Sequence, residues 1–217
     1  MVYPYAKMAV VGITLRQFTQ IQARLARKRT CARAPASTDA APANHAQGKV
    51  RRVILGIDPS VRATGYGVIL TEKTGPRALA YGTISLRGRD HTRADRLAHI
   101  ARTLRDVVER HRPEVCVIEG LFYGPNPKTA QAIGEARGAA LAIVAEAGIE
   151  IFEIAPRRVK LAIVGHGAAH KLAVAKMVQR MLNLSATPEP DAADALALAL
   201  AFAQEQKGFG PSTLKRI

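Results

Sequence analysis

The alternation of apolar runs and turn signals divides the chain sharply near residue 50. RRVILGID (51–58) reads as a buried strand, PSVRATG as a turn, and YGVILTE (66–72) as a second strand. ALAYGTISL (78–86) makes a third, so the domain opens with a three-strand meander. Leu97, Ile100, Leu104 and Val107 then recur at helical spacing between Asp95 and His111, and Pro113 stops that helix. EVCVIEG (114–120) is short and β-branched, the pattern of a strand buried on both faces of a parallel sheet. After the Gly/Pro-rich LFYGPNPK, the pattern predicts an Ala-rich helix at 128–147 and a strand, IEIFEI, at 149–154. Three helical stretches follow, at 156–164, 168–183 and 190–206, and KGFGPSTLKRI reads as a frayed tail. Strands first, then helix and strand in alternation, predict one α/β domain with a mixed sheet.

The first 49 residues follow a different rule. MAVVGITLRQFTQIQARLARKRT is apolar and basic, and CARAPASTDAAPANHAQG is an Ala/Pro/Ser linker without periodicity. No acid precedes Asp39, as in an organellar transit peptide. Val50 directly precedes the first strand, and a valine codon can serve as a bacterial start. The extension is therefore expected to be a disordered arm, a targeting segment or an over-extended reading frame. The expected organisation is an arm at 1–49, a folded domain at 50–206 and a flexible tail at 207–217.

Size and charge narrow the partners. A chain of 217 residues is long enough for one well-cored domain. Cys31 and Cys116 lie far apart without ligand-like neighbours, which argues against a disulfide framework or a zinc site and fits a reducing cytoplasm. No apolar run reaches the roughly 20 residues that span a bilayer. Thirty-two Lys and Arg against 17 acids leave a net charge of +15, the excess expected of a protein that meets a polyanion. Residues 1–50 hold eight basic residues and one acid, so the domain itself stays basic. A membrane surface fits less well than nucleic acid, because the domain lacks a basic amphipathic helix with an aromatic apolar face.

Four acids stand at the ends of elements. Asp58 closes the first apolar strand, where ligands bind in open α/β sheets, and Glu119 holds the matching place on VCVIE. Asp191 and Asp194, three apart at a helix start, share one face. None has an evident cationic partner nearby in sequence, and divalent cations on oxygen ligands would relieve the repulsion. Each acid also has a local reading: Asp58 as a turn initiator, Glu119 as a solvated strand end, Asp191 as a helix cap and Asp194 as a first-turn acid. Spacing alone reaches metal-dependent phosphoryl chemistry without separating the two.

The ordered motifs GIDPS…TGYGVI, VIEGLFYGPNPKTAQAIGEARGAA, APRRVKLAIVGHGAAHK and DAADALALA closely resemble those of the RuvC Holliday junction resolvases. The resemblance spans about residues 51–205. It implies a ribonuclease-H-like α/β fold, a mixed five-stranded sheet flanked by helices, with Asp58, Glu119, Asp191 and Asp194 as the catalytic, metal-binding tetrad. It implies two Mg2+ per subunit, with Mn2+ able to substitute, and a homodimer that nicks four-way junction DNA symmetrically. It further implies ligatable 5′-phosphate and 3′-hydroxyl ends and the RuvA–RuvB branch-migration complex as partner. Phe122 matches the loop phenylalanine with which the family contacts unpaired bases. Lys160 and Lys171 match lysines that the family uses near the scissile phosphate.

Supporting residues have physical readings of their own. Phe122 and Tyr123 suit base stacking or packing over the sheet edge. Lys160 and Lys171 are flexible charges suited to phosphate or to a solvated helix face. Arg157 and Arg158 oppose a helix dipole, which fits a DNA-backbone role, with Lys128 and Arg137 as weaker candidates. Gly134 and Gly138 permit close helix packing within the core or across a dimer. Three positions depart from the resemblance: Ser60 and His166 stand where the family usually has glycine and asparagine, and His170 where an acid is common. His166 and His170 also admit a metal-ligand reading, weaker than a polar or phosphate-facing surface. GIDPSVRATGYG is similar to the phosphate loop of sugar kinases and actin-like ATPases too. Those need a duplicated domain and a second glycine-rich motif, both absent from the sequence. The remaining rival is a non-catalytic junction-binding protein.

Overall fold

The computed structural model describes residues 51–60, 62–86, 91–120, 126–206 and 214–217. The chain divides into two units, Met1–His45 and Ala46–Ile217, and all described residues lie in the second. Its elements, in order, are β1 (Arg52–Pro59), β2 (Thr64–Glu72), β3 (Gly75–Ile84), α1 (Arg93–His111), β4 (Val115–Glu119) and α2 (Pro127–Glu146). Then come β5 (Glu150–Ile154), α3 (Pro156–Val164), α4 (Lys171–Met181), α5 (Pro190–Glu205) and β6 (Lys215–Arg216). They build one mixed sheet ordered β3-β2-β1-β4-β5-β6. The meander β1–β2–β3 is antiparallel, and β4 and β5 join it parallel to β1.

The sixth strand differs from the expected five strands and free tail. Lys215 and Arg216 pair antiparallel with Glu153 and Phe152. Arg216 meets Glu150 at 2.9 Å and Lys215 meets Glu153 at 3.5 Å. Without β6, β5 would be an open edge bearing two acids, and the basic tail supplies both backbone pairing and counter-charge. Two residues are too short to show any periodicity, so no pattern could announce them.

Strand alternation sends each buried strand's side chains into two separate cores. Ile54, Val115, Val117 and Ile154 join α3, α4 and α5 on one face. Leu55, Ile57, Cys116 and Ile118 join α1 and α2 on the other. By the same parity, Asp58 and Glu119 fall on the α5 face, two residues beyond Gly56 and Val117 respectively.

Helix α5 is apolar around its circumference and is buried from Ala192 to Ala203, apart from Asp194. It lies on β1 and β2 along three glycines. Gly56 and Gly67 are cross-strand partners, and Gly65 is the partner of Asp58. A Cβ on Gly56 would stand 1.9 Å from the Ala195 carbonyl oxygen, and one on Gly65 would stand 1.9 Å from that of Asp191. Only glycine allows the helix backbone so near. Behind this contact Phe202 packs its ring 5.0 Å from that of Phe152, anchoring the far end of the helix.

Gly56→Ala forces backbone against backbone and is expected to cost about 3 kcal/mol. Urea denaturation checks it, with a lowered midpoint at unchanged slope as the expected outcome.

Candidate active site

The two strand acids come together because β1 and β4 are parallel neighbours in register. Ile57 pairs with Ile118, so the next residues, Asp58 and Glu119, end side by side. Helix α5 brings the other two acids over this point, since the Asp191 carbonyl rests on Gly65, the partner of Asp58. All four line one cleft of about 330 Å³ together with Lys160 and Lys171.

The cap reading of Asp191 and the first-turn reading of Asp194 do not hold. The helix starts at Pro190, as its pattern predicts, with Glu189 at the N-cap position, and no side chain caps it. Asp191 lies within the first turn, and Asp194 lies beyond it. The turn reading of Asp58 fails as well, because Ser60 closes the turn. Its backbone N–H and hydroxyl both donate to the Ala63 carbonyl, at 3.0 and 2.5 Å, and its Oγ accepts from Ala63 N–H. Ser60 makes this turn without a left-handed backbone.

Electrostatics mark the cleft as short of positive charge. Asp58 is 7% exposed. Burial, then the Glu119 and Asp194 charges, push its carboxyl up from 3.8 to about 8. Glu119 is raised as well, first by burial and then by Asp194, while a hydrogen bond with the Asp58 carboxyl pulls the other way. Both carboxyls are pushed toward the protonated form by their surroundings. Lys171 gives partial relief: its Nζ donates to Asp194 Oδ2 at 3.1 Å, and Asp194 holds the ammonium's proton more firmly. This is the cationic partner that sequence neighbours did not reveal, 23 residues away along the chain.

Hard carboxylate oxygens that repel one another fit a divalent cation such as magnesium or manganese. Among the described residues, no three of these acids are drawn together into a finished ligand set. The fit rests on donor chemistry and on the unrelieved charge. His166 and His170 are exposed and line no part of the cleft.

The other candidates separate. Lys160 lines the cleft, and Arg157 and Lys128 are exposed. Arg158 donates from Nε to Glu205 at 2.6 Å, which ties α3 to α5, and its side chain stays 42% exposed. Arg137 is corrected outright: it is 5% exposed and bonded to the Glu119 carbonyl and to Glu153. A DNA-backbone contact is closed to it. Phe122 and Tyr123 lie outside the described residues. Sequence reading passed over Glu153 entirely. Its signal was an acid inside a short strand, facing the arginine's helix.

An open mixed sheet with carboxylates at the ends of its paired central strands, under a helix carrying two more, defines the ribonuclease-H-like class. The family model described as crossover junction endodeoxyribonuclease RuvC matches residues 54–202. The chain belongs to the RuvC family, whose nucleases are metal-dependent. It is 45% identical over 144 residues to crossover junction endodeoxyribonuclease RuvC of Alkalilimnicola ehrlichii, covering 66% of this chain and 86% of that one. The Bordetella avium protein of the same name is 44% identical over 150 residues, 69% of this chain and 82% of that one. Among solved structures, Thermus thermophilus RuvC in complex with Holliday junction substrate superposes with a TM-score of 0.68 at 33% identity. That match covers 76% of this chain and 99% of the other.

The raised Asp58 carboxyl has a pH consequence. Below about pH 4 it is protonated folded or unfolded. Between about 4 and about 8 only the folded form keeps the proton, so stability falls as pH rises through that window. In chelator the melting temperature is expected to drop from pH 4.5 to 8, with Asp58→Asn flattening the slope. Manganese should raise melting most at pH 8.

Proposed function

We propose that the chain is a structure-selective endonuclease that resolves four-way Holliday junctions by paired symmetrical nicks in DNA recombination and repair. The observation that carries this reading is the convergence of Asp58, Glu119, Asp191 and Asp194 on one cleft with two lysines, in a chain of the RuvC family. Acids from β1, β4 and α5 would hold the divalent cations, two Mg2+ per subunit with Mn2+ as substitute. Bound there, the ions supply Lewis-acid activation of water and neutralise charge developing on the phosphodiester.

The chain's own residues do the rest. The strand ends set Asp58 and Glu119 side by side, and the glycine-seated helix fixes Asp191 and Asp194 across from them. Lys160 and Lys171 are placed to contact the phosphate and hold it for in-line attack by water, which leaves a 5′-phosphate and a 3′-hydroxyl. The basic surface draws in the junction, at a cost in affinity as salt rises. Phe122 and Tyr123, directly downstream of Glu119, are suited to stack on unpaired bases. Two symmetrical nicks need two clefts, which supports a homodimer. The RuvA–RuvB complex would be its partner at the junction.

A synthetic four-way junction tests this. With magnesium the native chain is expected to nick it symmetrically, and Asp58→Asn to lose roughly 10²–10³-fold in cleavage rate while still binding. A native chain that binds the junction and leaves it uncut is a binding protein only, and the enzyme reading then fails.

A further inference from the structure

The guanidinium of Arg137 lies on the α2 side of the sheet, one helical turn from Ile133, which lines the cleft. It is 5% exposed and makes two bonds. Nη1 donates to the backbone carbonyl of Glu119, and Nη2 donates to Glu153 Oε2 at 2.6 Å. Glu153 shares its strand face with Ile151, which packs in the α1–α2 core, while Phe152 and Ile154 face α5. The Glu119 side chain, by contrast, belongs to the α5 face with Val115 and Val117. Arginine therefore holds from behind a residue whose carboxylate works in front.

The Glu119–Gly120 peptide is held from two sides. Its N–H, on Gly120, donates to the Ile154 carbonyl of the neighbouring strand at 2.9 Å. Its carbonyl, on Glu119, accepts from Arg137. A buried guanidinium costs several kcal/mol to desolvate, and an apolar side chain would fill the same space at less cost. An ion pair retained there, with one arm on a cleft residue's backbone, suits the fixing of geometry better than packing. The tail adds to it, since Lys215 reaches Glu153 Oε1 at 3.5 Å.

We propose that Arg137 is a positioning residue for the metal-dependent reaction. With Glu153 as its counter-ion, it fixes the Glu119 strand end so that the carboxylate meets the cation. The inference rests on the reading of Glu119 as a cation ligand. Outer partners of ligands usually matter by about 10–100-fold in metal affinity or activity.

The test titrates manganese into DNA-free protein by calorimetry and into single-turnover cleavage of a four-way junction. Junction binding in calcium and the melting temperature are measured alongside. Arg137→Met is expected to weaken manganese binding by about 10–100-fold and to raise the manganese needed for half-maximal cleavage equally. Junction affinity should stay within about twofold. Arg137→Lys, which keeps one charged donor, is expected to recover part of the loss. Glu153→Gln should shift in the same direction by less, and these two variants decide the matter if Arg137→Met does not fold. Native manganese affinity and cleavage in folded Arg137→Met, or in both milder variants, overturns the proposal even where melting drops. Glu119→Gln separates the two layers. If it cleaves as the native chain does, the ligand reading itself is lost. If it is inactive while the Arg137 and Glu153 variants behave as native, only the positioning role is lost.

Discussion

The close approach of α5 to β1 and β2 is the constraint on which the rest depends. Gly56 and Gly65 leave the helix backbone resting on the strand backbone, and Gly67 makes room for the Leu196 side chain. That contact fixes the height of the helix above the sheet, and with it the distance from Asp191 and Asp194 to the strand acids. The apolar length of α5, ending in the Phe202–Phe152 contact, keeps the helix from rolling. Packing density thus does for the cleft what side-chain hydrogen bonds do in many other sites.

The charges run against this packing. Asp58 and Glu119 are crowded and desolvated, and among the described residues Lys171 is the one cation hydrogen-bonded to a tetrad carboxylate. A fold optimised for stability alone would not retain such a group. The strain is local and is borne by a core that spans both faces of the sheet. Rigid backing lets like charges stay close together in one cleft.

Much of this was legible before any coordinates. The order of elements followed from periodicity, and the ordered motifs selected the four acids. Asp58 and Glu119 already stood at matching ends of two buried apolar strands. What stayed hidden depended on distance along the chain. Lys171 meets Asp194, Arg158 meets Glu205 and Arg137 meets Glu153 across separations that no local pattern encodes. Arg137 is the sharpest case: a lone arginine in an Ala-rich helix reads as a DNA contact, and only the sheet packed against it reveals its burial. The cap reading of Asp191 failed for a different reason. Pro190 takes the first helical position, and an acid next to it looks like a cap when it is already inside the helix.

The two-residue strand β6 also bears on how this molecule keeps to itself. An uncovered β5 would offer a row of backbone donors and acceptors to any passing extended chain. Lys215 and Arg216 occupy that row and face outward with positive charge. At the opposite border β3 carries Pro76 and Arg77, and its pairing with β2 is broken by an irregularity at Val68 and Ile69. Both margins of the sheet are thereby poor templates for edge-to-edge growth, and a protein that must crowd onto DNA is guarded against uncontrolled strand-to-strand aggregation.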